Sequence, residues 1–200
     1  VIFGAHWIRM KAKACFWNQR DSGINFLGHE WEIKAIENST GVISNSMEGK
    51  LFLEKFINKP IRIIHNGVKI PKIRASPEIV EGEFRVVMVA NLQGFKDHIT
   101  LLKAWKLVVS ERFNSRLLLA GKKANTFPDL EKFVKQNGLE NYVDFLGEIE
   151  GVSELLASCH LGVFISNSEG LPNGILECMA IGLPVVATDC LGAREALGED

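Results

Sequence analysis

Two glutamates in the last third of the chain have the type and spacing needed to hold a polar ligand. Glu169 and Glu177 lie in the stretch from Ser166 to Asp189, with seven residues between them. Carboxylates accept hydrogen bonds from neutral hydroxyls, which is how acidic side chains hold a ribose or a hexose. Gly170 and Gly174 lie between them and carry no Cβ, so the backbone can approach a ligand closely there. The pattern predicts a pocket for a hydroxyl-rich molecule.

The elements predicted around these glutamates suit a diphosphate. A predicted strand ends at Ile165, Pro172 is predicted in the first turn of the following helix, and Gly182 ends that helix. In an open α/β sheet, ligands bind at the carboxyl ends of strands, where helix amino termini present unpaired N–H groups and a positive dipole. A nucleoside diphosphate sugar fits, because it has hydroxyls at both ends and a diphosphate between them. The alternative is that both glutamates are merely solvated, but their setting favours the site.

From Arg85 onward, short apolar runs alternate with amphipathic stretches, which is typical of βαβ units. The runs are almost continuously apolar, as expected for parallel strands buried on both faces. Ile99, Leu102 and Trp105 recur at helical spacing, which predicts a helix with one stripe on the sheet. The predicted strands are Arg85–Ala90, Arg116–Gly121, Val143–Gly147, Leu161–Ile165 and Pro184–Thr188. We therefore predict an α/β fold with parallel sheets.

The first third of the chain has a less regular pattern of the same kind. Its predicted strands are Val1–Ala5, Ala14–Trp17, Gly41–Ser44 and Ile61–Ile64, and its predicted helices are Glu30–Asn38 and Glu48–Ile57. Residues 68–83 contain Pro71, Pro77 and Gly82 with few periodic apolar positions, which indicates a connector. We predict a partial lobe over 1–67, a connector over 68–83 and a second lobe over 84–200. Because the chain starts at Val1 and ends directly after a helical pattern, we interpret it as a fragment.

Composition excludes several classes of protein. Lys and Arg total 23 against 24 for Asp and Glu, and this net charge of -1 gives no basic surplus for binding a nucleic acid. The four cysteines form no CxxC pair, which favours reduced structural thiols and a cytoplasmic protein. No apolar run reaches the ~20 residues that span a bilayer. A GxGxxG turn and a GxxxxGK[ST] loop are both lacking, which disfavours a dehydrogenase and a P-loop NTPase.

The motif SEGLPNGILECMA with GLPVVATD after it resembles the donor-binding lobe of glycosyltransferase family 4, the group 1 glycosyltransferases. ISNSMEGKLFLEK is similar to the last part of that family's amino-terminal lobe, and IRIIHNGVKIP is similar to its crossing segment. VVMVANLQGFKDHITLLKAW resembles the first strand, loop and helix of the donor lobe. These segments occur in the order the family has them. The resemblance implies the GT-B fold, with two Rossmann-like parallel-sheet lobes.

The resemblance also implies roles for individual residues. Glu169 would face the donor sugar, Glu177 would hold the nucleotide ribose, and Lys96 would neutralise the diphosphate as the leaving group departs. The backbone near the sugar and phosphates would be that of Gly170, Leu171, Pro172, Asn173 and Gly174. A cation aimed at developing charge in a desolvated cleft contributes ~3 kcal/mol, on the order of a hundredfold in rate.

One departure from the family concerns the loop before Lys96. Many relatives have an arginine there as a second phosphate donor, whereas this chain has Asn91, Leu92, Gln93, Gly94 and Phe95. Asn91 or Gln93 can donate a neutral hydrogen bond, but a charge-assisted bond is about twice as strong. The motif therefore predicts donor binding more safely than fast turnover.

Other residues carry weaker signals. His65-Asn66-Gly67 is interpreted as a tight turn rather than a site, because Asn-Gly is a strong turn signal. Arg20 and Asp21 end a predicted strand and are minor candidates for meeting the acceptor or the donor phosphate. Neither His6 nor His29 lies in a convincing motif. Three tryptophans, Trp7, Trp17 and Trp31, are interpreted as core rather than as a surface for lipid-linked sugars.

The leading hypothesis is a glycosyltransferase that moves a sugar from a nucleoside diphosphate sugar to an acceptor hydroxyl, with retention as the resemblance implies. It needs no cofactor and no metal, since no carboxylate pair has metal-ligand spacing. The expected acceptor is a sugar or lipid-linked glycan in polysaccharide, lipopolysaccharide or glycoconjugate synthesis, and peripheral association with the inner face of the membrane is left open. The alternatives are a GT-B-like sugar-nucleotide epimerase and a noncatalytic α/β ligand-binding module.

Overall fold

The structure is a computed structural model, and it describes residues 13–75, 82–111 and 114–198. The predicted strand Val1–Ala5, together with His6 and Trp7, lies outside the described residues. The chain divides into two compact units. The first comprises Val1–Gly67, Ser168–Pro172 and Cys190–Asp200, and the second comprises Val68–Asn167 and Asn173–Asp189.

Helices and strands alternate along most of the described chain. In order, the elements are β1 (Phe16–Gln19), α1 (Glu30–Glu37), β2 (Gly41–Ser44), α2 (Met47–Leu53), β3 (Ile61–Ile63), β4 (Phe84–Val89), α3 (His98–Glu111), β5 (Ser115–Ala120), α4 (Phe127–Gln136), β6 (Val143–Gly147), α5 (Val152–Ala157), β7 (Leu161–Phe164), α6 (Asn173–Ile181), β8 (Val185–Ala187) and α7 (Leu191–Leu197). None of the helices in these described ranges is long and apolar enough to cross a membrane.

The first unit contains a parallel three-stranded sheet in the order β1-β2-β3. Its core cluster consists of Ile36, Val42, Leu53, Ile57 and Ile61. The predicted strand Ala14–Trp17 lies two residues later, at Phe16–Gln19. Cys15 N–H donates to the Thr40 hydroxyl, and Thr40 N–H donates to the Cys15 carbonyl. Because a side chain takes the place of a backbone partner at Cys15, regular pairing begins only at Phe16, opposite Gly41.

The predicted helix Glu48–Ile57 is shorter in the structure. It begins one residue after Ser46, whose side chain accepts a hydrogen bond from the Gly49 N–H, and this cap fixes the start at Met47. After Leu53 the backbone bonds tighten to the i to i+3 type, with Phe56 N–H donating to the Leu53 carbonyl. A tightened last turn is a common way for a helix to end.

The second unit contains a parallel five-stranded sheet in the order β6-β5-β4-β7-β8. Val86 and Met88 of β4 belong to one buried cluster and Val87 belongs to another, so successive side chains enter cores on opposite faces. The prediction of an α/β fold with parallel strands is confirmed, and β4 and β5 are buried on both faces. Burial on both faces is wrong for β8, because it lies at the edge of the sheet and Val186 is 54% exposed. The five predicted strands match to within one residue at each end.

The order of strands in the second unit reverses between β4 and β7. From β4 the chain proceeds through β5 to β6 on one side, and from β7 it proceeds to β8 on the other. Such a reversal is a topological switch point, and in open α/β sheets the crevice outside the carboxyl ends of the strands there is where ligands bind. The strand order therefore places the expected ligand crevice at the carboxyl ends of β4 and β7.

Helix punctuation follows the sequence signals with one exception. Pro128 is the second residue of α4, and Gly138, with φ +65°, follows the end of that helix as predicted. Pro172 was predicted in the first turn of the next helix, but α6 begins at Asn173 and Pro172 precedes it. Proline disfavours the helical conformation of Leu171, which keeps the helix from starting earlier, and Pro172 itself occupies the position directly before the first helical residue.

Candidate functional site

The loop after β4 and the segment after β7 are joined by hydrogen bonds at the switch point. Asp97 N–H donates to the Ile165 carbonyl at 3.2 Å, and Asn167 N–H donates to the Phe95 carbonyl at 3.1 Å. The buried Ser166 hydroxyl donates to the same Phe95 carbonyl at 3.0 Å. These bonds fix the backbone on both sides of Lys96.

The Lys96 side chain lies beside aromatic rings and a small cavity. Its Nζ is 4.4 Å from the centre of the Phe164 ring and 5.3 Å from that of Phe95, within the range of a cation–π attraction. Lys96 also lines a cavity of about 240 Å³, together with residues of α3, with Thr126 just before α4 and with Asp129 in the first turn of α4. The ammonium group therefore belongs to the switch-point region of the second unit rather than to a fully solvated surface.

Two residues that fix this loop were not predicted. Ser166 was noted only as the start of the glutamate motif, and His98 was not singled out. The His98 Nδ1 lies 2.8 Å from the Lys96 carbonyl oxygen, and its side chain is buried. The available signal was the position of His98 two residues after Lys96, at the start of a helix whose next apolar residues face the core.

Helix α6 carries Glu177 and begins close to β4. A Cβ at Gly174 would lie 2.8 Å from the Val89 carbonyl oxygen, so the absence of a side chain lets the helix start pack against the strand end. Glu177 is half-buried, and desolvation raises the pKa of its carboxyl above the ordinary value of 4.5. The carboxylate is therefore an acceptor with incomplete hydration, which suits it to hydroxyl donors.

Asn91 and Gln93 lie in the turn that precedes Lys96. The Asn91 Oδ1 accepts a hydrogen bond from the Lys122 N–H at 2.9 Å, which leaves the amide nitrogen as the end of the side chain that can donate. Gln93 N–H donates to the Asn91 carbonyl at 2.8 Å, and the Gln93 carbonyl accepts from Lys96 N–H at 3.0 Å. Both residues thus shape the Lys96 turn, and their contact with a phosphate stays a prediction.

Glu169 belongs to the first unit, in the segment Ser168–Pro172. Ser168 Oγ lies 2.5 Å from Ser22 Oγ and 3.1 Å from Glu48 Oε1, and Asn66 Nδ2 donates to the Leu171 carbonyl at 3.1 Å. This segment is held by side chains that come from distant parts of the sequence.

Gly170 is packed closely within the same unit. A Cβ there would lie 2.8 Å from Asn45 Oδ1 and 2.9 Å from the Arg20 carbonyl oxygen. The buried Asn45 in turn donates from Nδ2 to the Arg20 carbonyl at 3.2 Å. Packing thus accounts for the glycine in the structure, while its predicted closeness to a ligand stays a prediction.

Several weaker sequence candidates have structural roles. The Asp21 Oδ1 accepts from Gln19 Nε2 at 2.6 Å and from Gly23 N–H at 2.8 Å, which organises the turn after β1. His29 is the residue before α1 and stacks on Trp31 at 5.9 Å between ring centres. The predicted core position of Trp31 is wrong, since the side chain is exposed.

The predicted tight turn at His65-Asn66-Gly67 is also wrong, because this stretch has no turn conformation. His65 Nε2 instead lies 2.8 Å from Glu195 Oε1, and Asn66 bonds to Leu171. Contacts with residues more than a hundred positions away override the local turn preference of Asn-Gly.

The four cysteines are free thiols, and desolvation raises the pKa of buried Cys178 to about 12.

The sequence of residues 83–200 identifies the family of this chain. The model for the family described as glycosyl transferases group 1 matches residues 83–200, which include Lys96, Glu169 and Glu177. The chain belongs to this family. An uncharacterized glycosyltransferase of Methanocaldococcus jannaschii is 28% identical over 169 residues, which cover 78% of this chain and 41% of that protein.

Two further proteins are similar to this group 1 glycosyltransferase chain. The N-acetyl-alpha-D-glucosaminyl L-malate synthase of Bacillus anthracis is 28% identical over 148 residues, covering 70% of this chain and 38% of the synthase. The crystal structure of HepE from Anabaena in complex with UDP and glucose has a TM-score of 0.84 at 23% identity, covering 100% of this chain and 59% of that one. The chain spans about two fifths of the length of these two curated relatives. The likeness to solved glycosyltransferases confirms the predicted GT-B type of fold.

Proposed function

We propose that the full protein transfers a sugar from a nucleoside diphosphate sugar to an acceptor hydroxyl. The observation that carries this proposal is the switch point between β4 and β7, where the Lys96 turn is bonded to residues 165–167. An ammonium group at the carboxyl end of a parallel sheet is suited to an anionic ligand. Membership of the group 1 glycosyltransferases supports the reading of that anion as the diphosphate of a sugar donor.

Lys96 acts on the diphosphate in the proposed reaction. As the bond between the sugar and the diphosphate breaks, negative charge grows on the leaving oxygen. A preorganised ammonium group and backbone N–H groups at the start of α6 stabilise that charge because they need no reorganisation. The proposed contribution of Lys96 is about 3 kcal/mol, on the order of a hundredfold in rate.

The two glutamates have separate roles in the proposal. Glu177 accepts hydrogen bonds from the ribose hydroxyls, and the desolvation that raises its pKa supports this, since such bonds would replace lost hydration. Glu169 faces the donor sugar, and the backbone from Gly170 to Gly174 approaches the sugar and phosphates. Assignment to family 4, retention at the anomeric carbon and independence from metal ions are parts of the same proposal.

Asn91 and Gln93 stand in the proposal where many relatives have an arginine. Their amide groups donate neutral hydrogen bonds to the diphosphate, which are weaker than the bonds of a guanidinium. Lys96 then carries most of the charge neutralisation. We expect the donor to bind and turnover to be slow compared with relatives that have the arginine.

The proposed acceptor is a sugar or a lipid-linked glycan in polysaccharide, lipopolysaccharide or glycoconjugate synthesis. HepE, whose fold this chain shares, was crystallised with UDP and glucose, which makes UDP the first nucleotide to test. We propose a cytoplasmic protein, with the lipid-linked acceptor bringing it to the inner face of the membrane. No nucleic acid takes part.

The direct test is a panel of UDP-, GDP- and ADP-sugars measured by thermal shift on the full-length protein. A ligand that binds only the folded state raises the melting temperature, so the correct nucleotide should stand out. Lys96→Ala and Glu177→Ala should each reduce the shift, whereas Lys103→Ala, on the exposed face of α3, should retain it. A shift that is unchanged in both site variants would contradict the proposal. A product assay separates the alternative enzyme, because an epimerase would form epimerised sugar without releasing nucleotide.

A further inference from the structure

A buried histidine contacts the backbone of Lys96 from the first residue of α3. The His98 side chain is 2% exposed. Its Nδ1 lies 2.8 Å from the Lys96 carbonyl oxygen, and its backbone N–H donates to the same oxygen at 2.7 Å. A carbonyl oxygen can only accept, so the hydrogen must be on Nδ1.

The other nitrogen of this ring has a different environment. In the part of the chain that the structure describes, Nε2 is buried and has no hydrogen-bond partner. Burial is the main reason that the pKa of His98 lies below 6.5, with Lys96 lowering it further and the Lys96 carbonyl and Asp97 opposing. The ring is therefore a neutral imidazole with hydrogen on Nδ1, and among the described residues the bond to the Lys96 carbonyl is the hydrogen bond that its side chain makes.

The position of this bond matters for the ammonium group. With both donors on its carbonyl oxygen, the peptide plane between Lys96 and Asp97 is fixed, and Asp97 N–H holds the other edge of that plane by its bond to Ile165. Lys96 N–H also donates to the Gln93 carbonyl at 3.0 Å, so bonds on both sides of its Cα hold the turn in place. Loss of the His98 bond would let the turn shift and carry the Lys96 side chain with it, and small displacements of a positioned group weaken its action on a ligand.

We propose that His98 is a positioning residue that, through its Nδ1–H bond to the Lys96 carbonyl, directs the Lys96 ammonium group toward the diphosphate. This inference rests on the proposed function, because it needs Lys96 to act on that group. The competing interpretation is that His98 only fills space in the core of the second unit. The two differ in what the ring must do, since filling space needs volume alone and positioning needs a donor at the place of Nδ1.

Asparagine and glutamine separate these interpretations. The side-chain nitrogen of asparagine occupies nearly the place of Nδ1 in histidine, whereas that of glutamine corresponds to Nε2. His98→Asn should therefore keep the bond, and His98→Gln should lose it. His98→Leu keeps apolar volume without any donor, so it serves as the space-filling control.

The measurement is the affinity for UDP by calorimetry, using full-length protein and the variants His98→Asn, His98→Gln, His98→Leu and Lys96→Ala. We expect His98→Gln and His98→Leu to weaken UDP binding by about tenfold, the size of one lost hydrogen bond, and His98→Asn to stay within about twofold. In the Lys96→Ala background, His98→Leu should cause no further loss, because the group it positions is gone.

The outcomes distinguish failure of this inference from failure of the proposed function. If Lys96→Ala weakens UDP binding but His98→Leu does not, or if the two losses add in the double variant, His98 only fills space and the proposed function stands. If Lys96→Ala itself leaves UDP binding unchanged, the proposed role of Lys96 fails and this inference fails with it. Nitrogen-15 NMR of the imidazole checks the bond without any ligand, and a hydrogen on Nε2 instead of Nδ1 would overturn the inference even if a variant failed to fold.

Discussion

The segments that carry Lys96 and Glu169 are held in different ways. The Lys96 turn is bonded mainly through backbone groups to residues that follow an adjacent strand, as in the bonds of Asp97 and Asn167. The Glu169 segment is held by side chains of Ser22 and Asn66 that are far away in sequence. Backbone bonds at strand ends follow from the sheet itself, whereas side-chain bonds depend on individual residues. Single substitutions should therefore disturb the Glu169 segment more easily.

The cores behind the two segments also differ. Among the described residues, the larger cluster of the second unit contains twelve buried residues, and the cluster of the first unit contains five. The three-stranded sheet of the first unit also lines a cavity of about 490 Å³, with Phe16, Arg62 and Ile64 among its lining residues. A small cluster beside an open cavity can rearrange more readily than one enclosed by helices.

The largest expected effect comes from the same substitution in each core. Leu102 and Leu53 are both 0% exposed, the first in the second unit and the second in the first unit. Leu102→Ala should lower the free energy of unfolding by about 4 kcal/mol, because its enclosed surroundings leave the cavity unfilled. Leu53→Ala should cost about 2–3 kcal/mol, because its smaller cluster can partly collapse. Chemical denaturation measures both, and equal costs would contradict the proposed difference in packing.

The next effect tests close packing at Gly174 and Gly170. A Cβ at Gly174 meets the backbone oxygen of β4 at 2.8 Å, which cannot move easily, so Gly174→Ala should cost about 2–3 kcal/mol. At Gly170 the Cβ would meet Asn45 Oδ1 at 2.8 Å and the Arg20 backbone oxygen at 2.9 Å, so Gly170→Ala should also cost about 2–3 kcal/mol. Gly67→Ala is the control, since nothing lies within 4 Å of its Cβ position.

The direction of the stability change in Gly174→Ala distinguishes a fixed helix start from one that can move. Alanine in a helix is favoured over glycine by about 1 kcal/mol, so a Gly174→Ala protein without a clash would be more stable than the wild type. A gain in melting temperature would therefore show that α6 can move away from β4. A loss would support a helix start that is fixed at the switch point.

A smaller effect compares one hydrogen bond in each segment. Asn66→Ala removes the donor to the Leu171 carbonyl, and Ser166→Ala removes the hydroxyl donor to the Phe95 carbonyl. Each should cost about 1 kcal/mol. Hydrogen exchange should show faster exchange of the Glu169 segment in Asn66→Ala, but little change in the Lys96 turn in Ser166→Ala, because the Asn167 N–H still bonds to Phe95. Faster exchange in both segments would contradict the contrast between backbone and side-chain support.

The strands could be predicted from the sequence, because they depend on local patterns, whereas the roles of the site residues stay predictions. Val143–Gly147 matched fully, and the apolar runs of β4 and β5 matched to within a residue. The order of strands could not be predicted, and with it the place where β4 and β7 lie side by side. The turn predicted at His65-Asn66-Gly67 was wrong for the same reason, because bonds to residues far away in the sequence override a local preference. His98 was missed because one buried histidine has no spacing pattern.

The smallest expected effect is a pH dependence of stability at Glu177. Because desolvation raises its folded-state pKa above 4.5, the native protein holds the proton more tightly than the unfolded chain does. The stabilisation of the folded state that comes from this tighter proton binding is therefore complete below pH 4.5. It is lost as the pH rises through the folded-state pKa, so the melting temperature falls over that range. Glu177→Gln should flatten this fall in melting temperature between about pH 4 and about pH 7, whereas Glu177→Asp, which keeps a carboxyl group, should retain it.

The same variant connects stability to the proposed function. Glu177→Gln cannot ionise, so at neutral pH it should be at least as stable as the wild type. It should also bind UDP less tightly, because a neutral amide oxygen accepts a hydroxyl hydrogen bond more weakly than a carboxylate does. A charged, half-buried carboxylate that costs stability and strengthens nucleotide binding is what a ligand site requires. If Glu177→Gln instead bound UDP as well as the wild type and melted lower at neutral pH, Glu177 would be a structural residue and the ribose role would pass to another side chain.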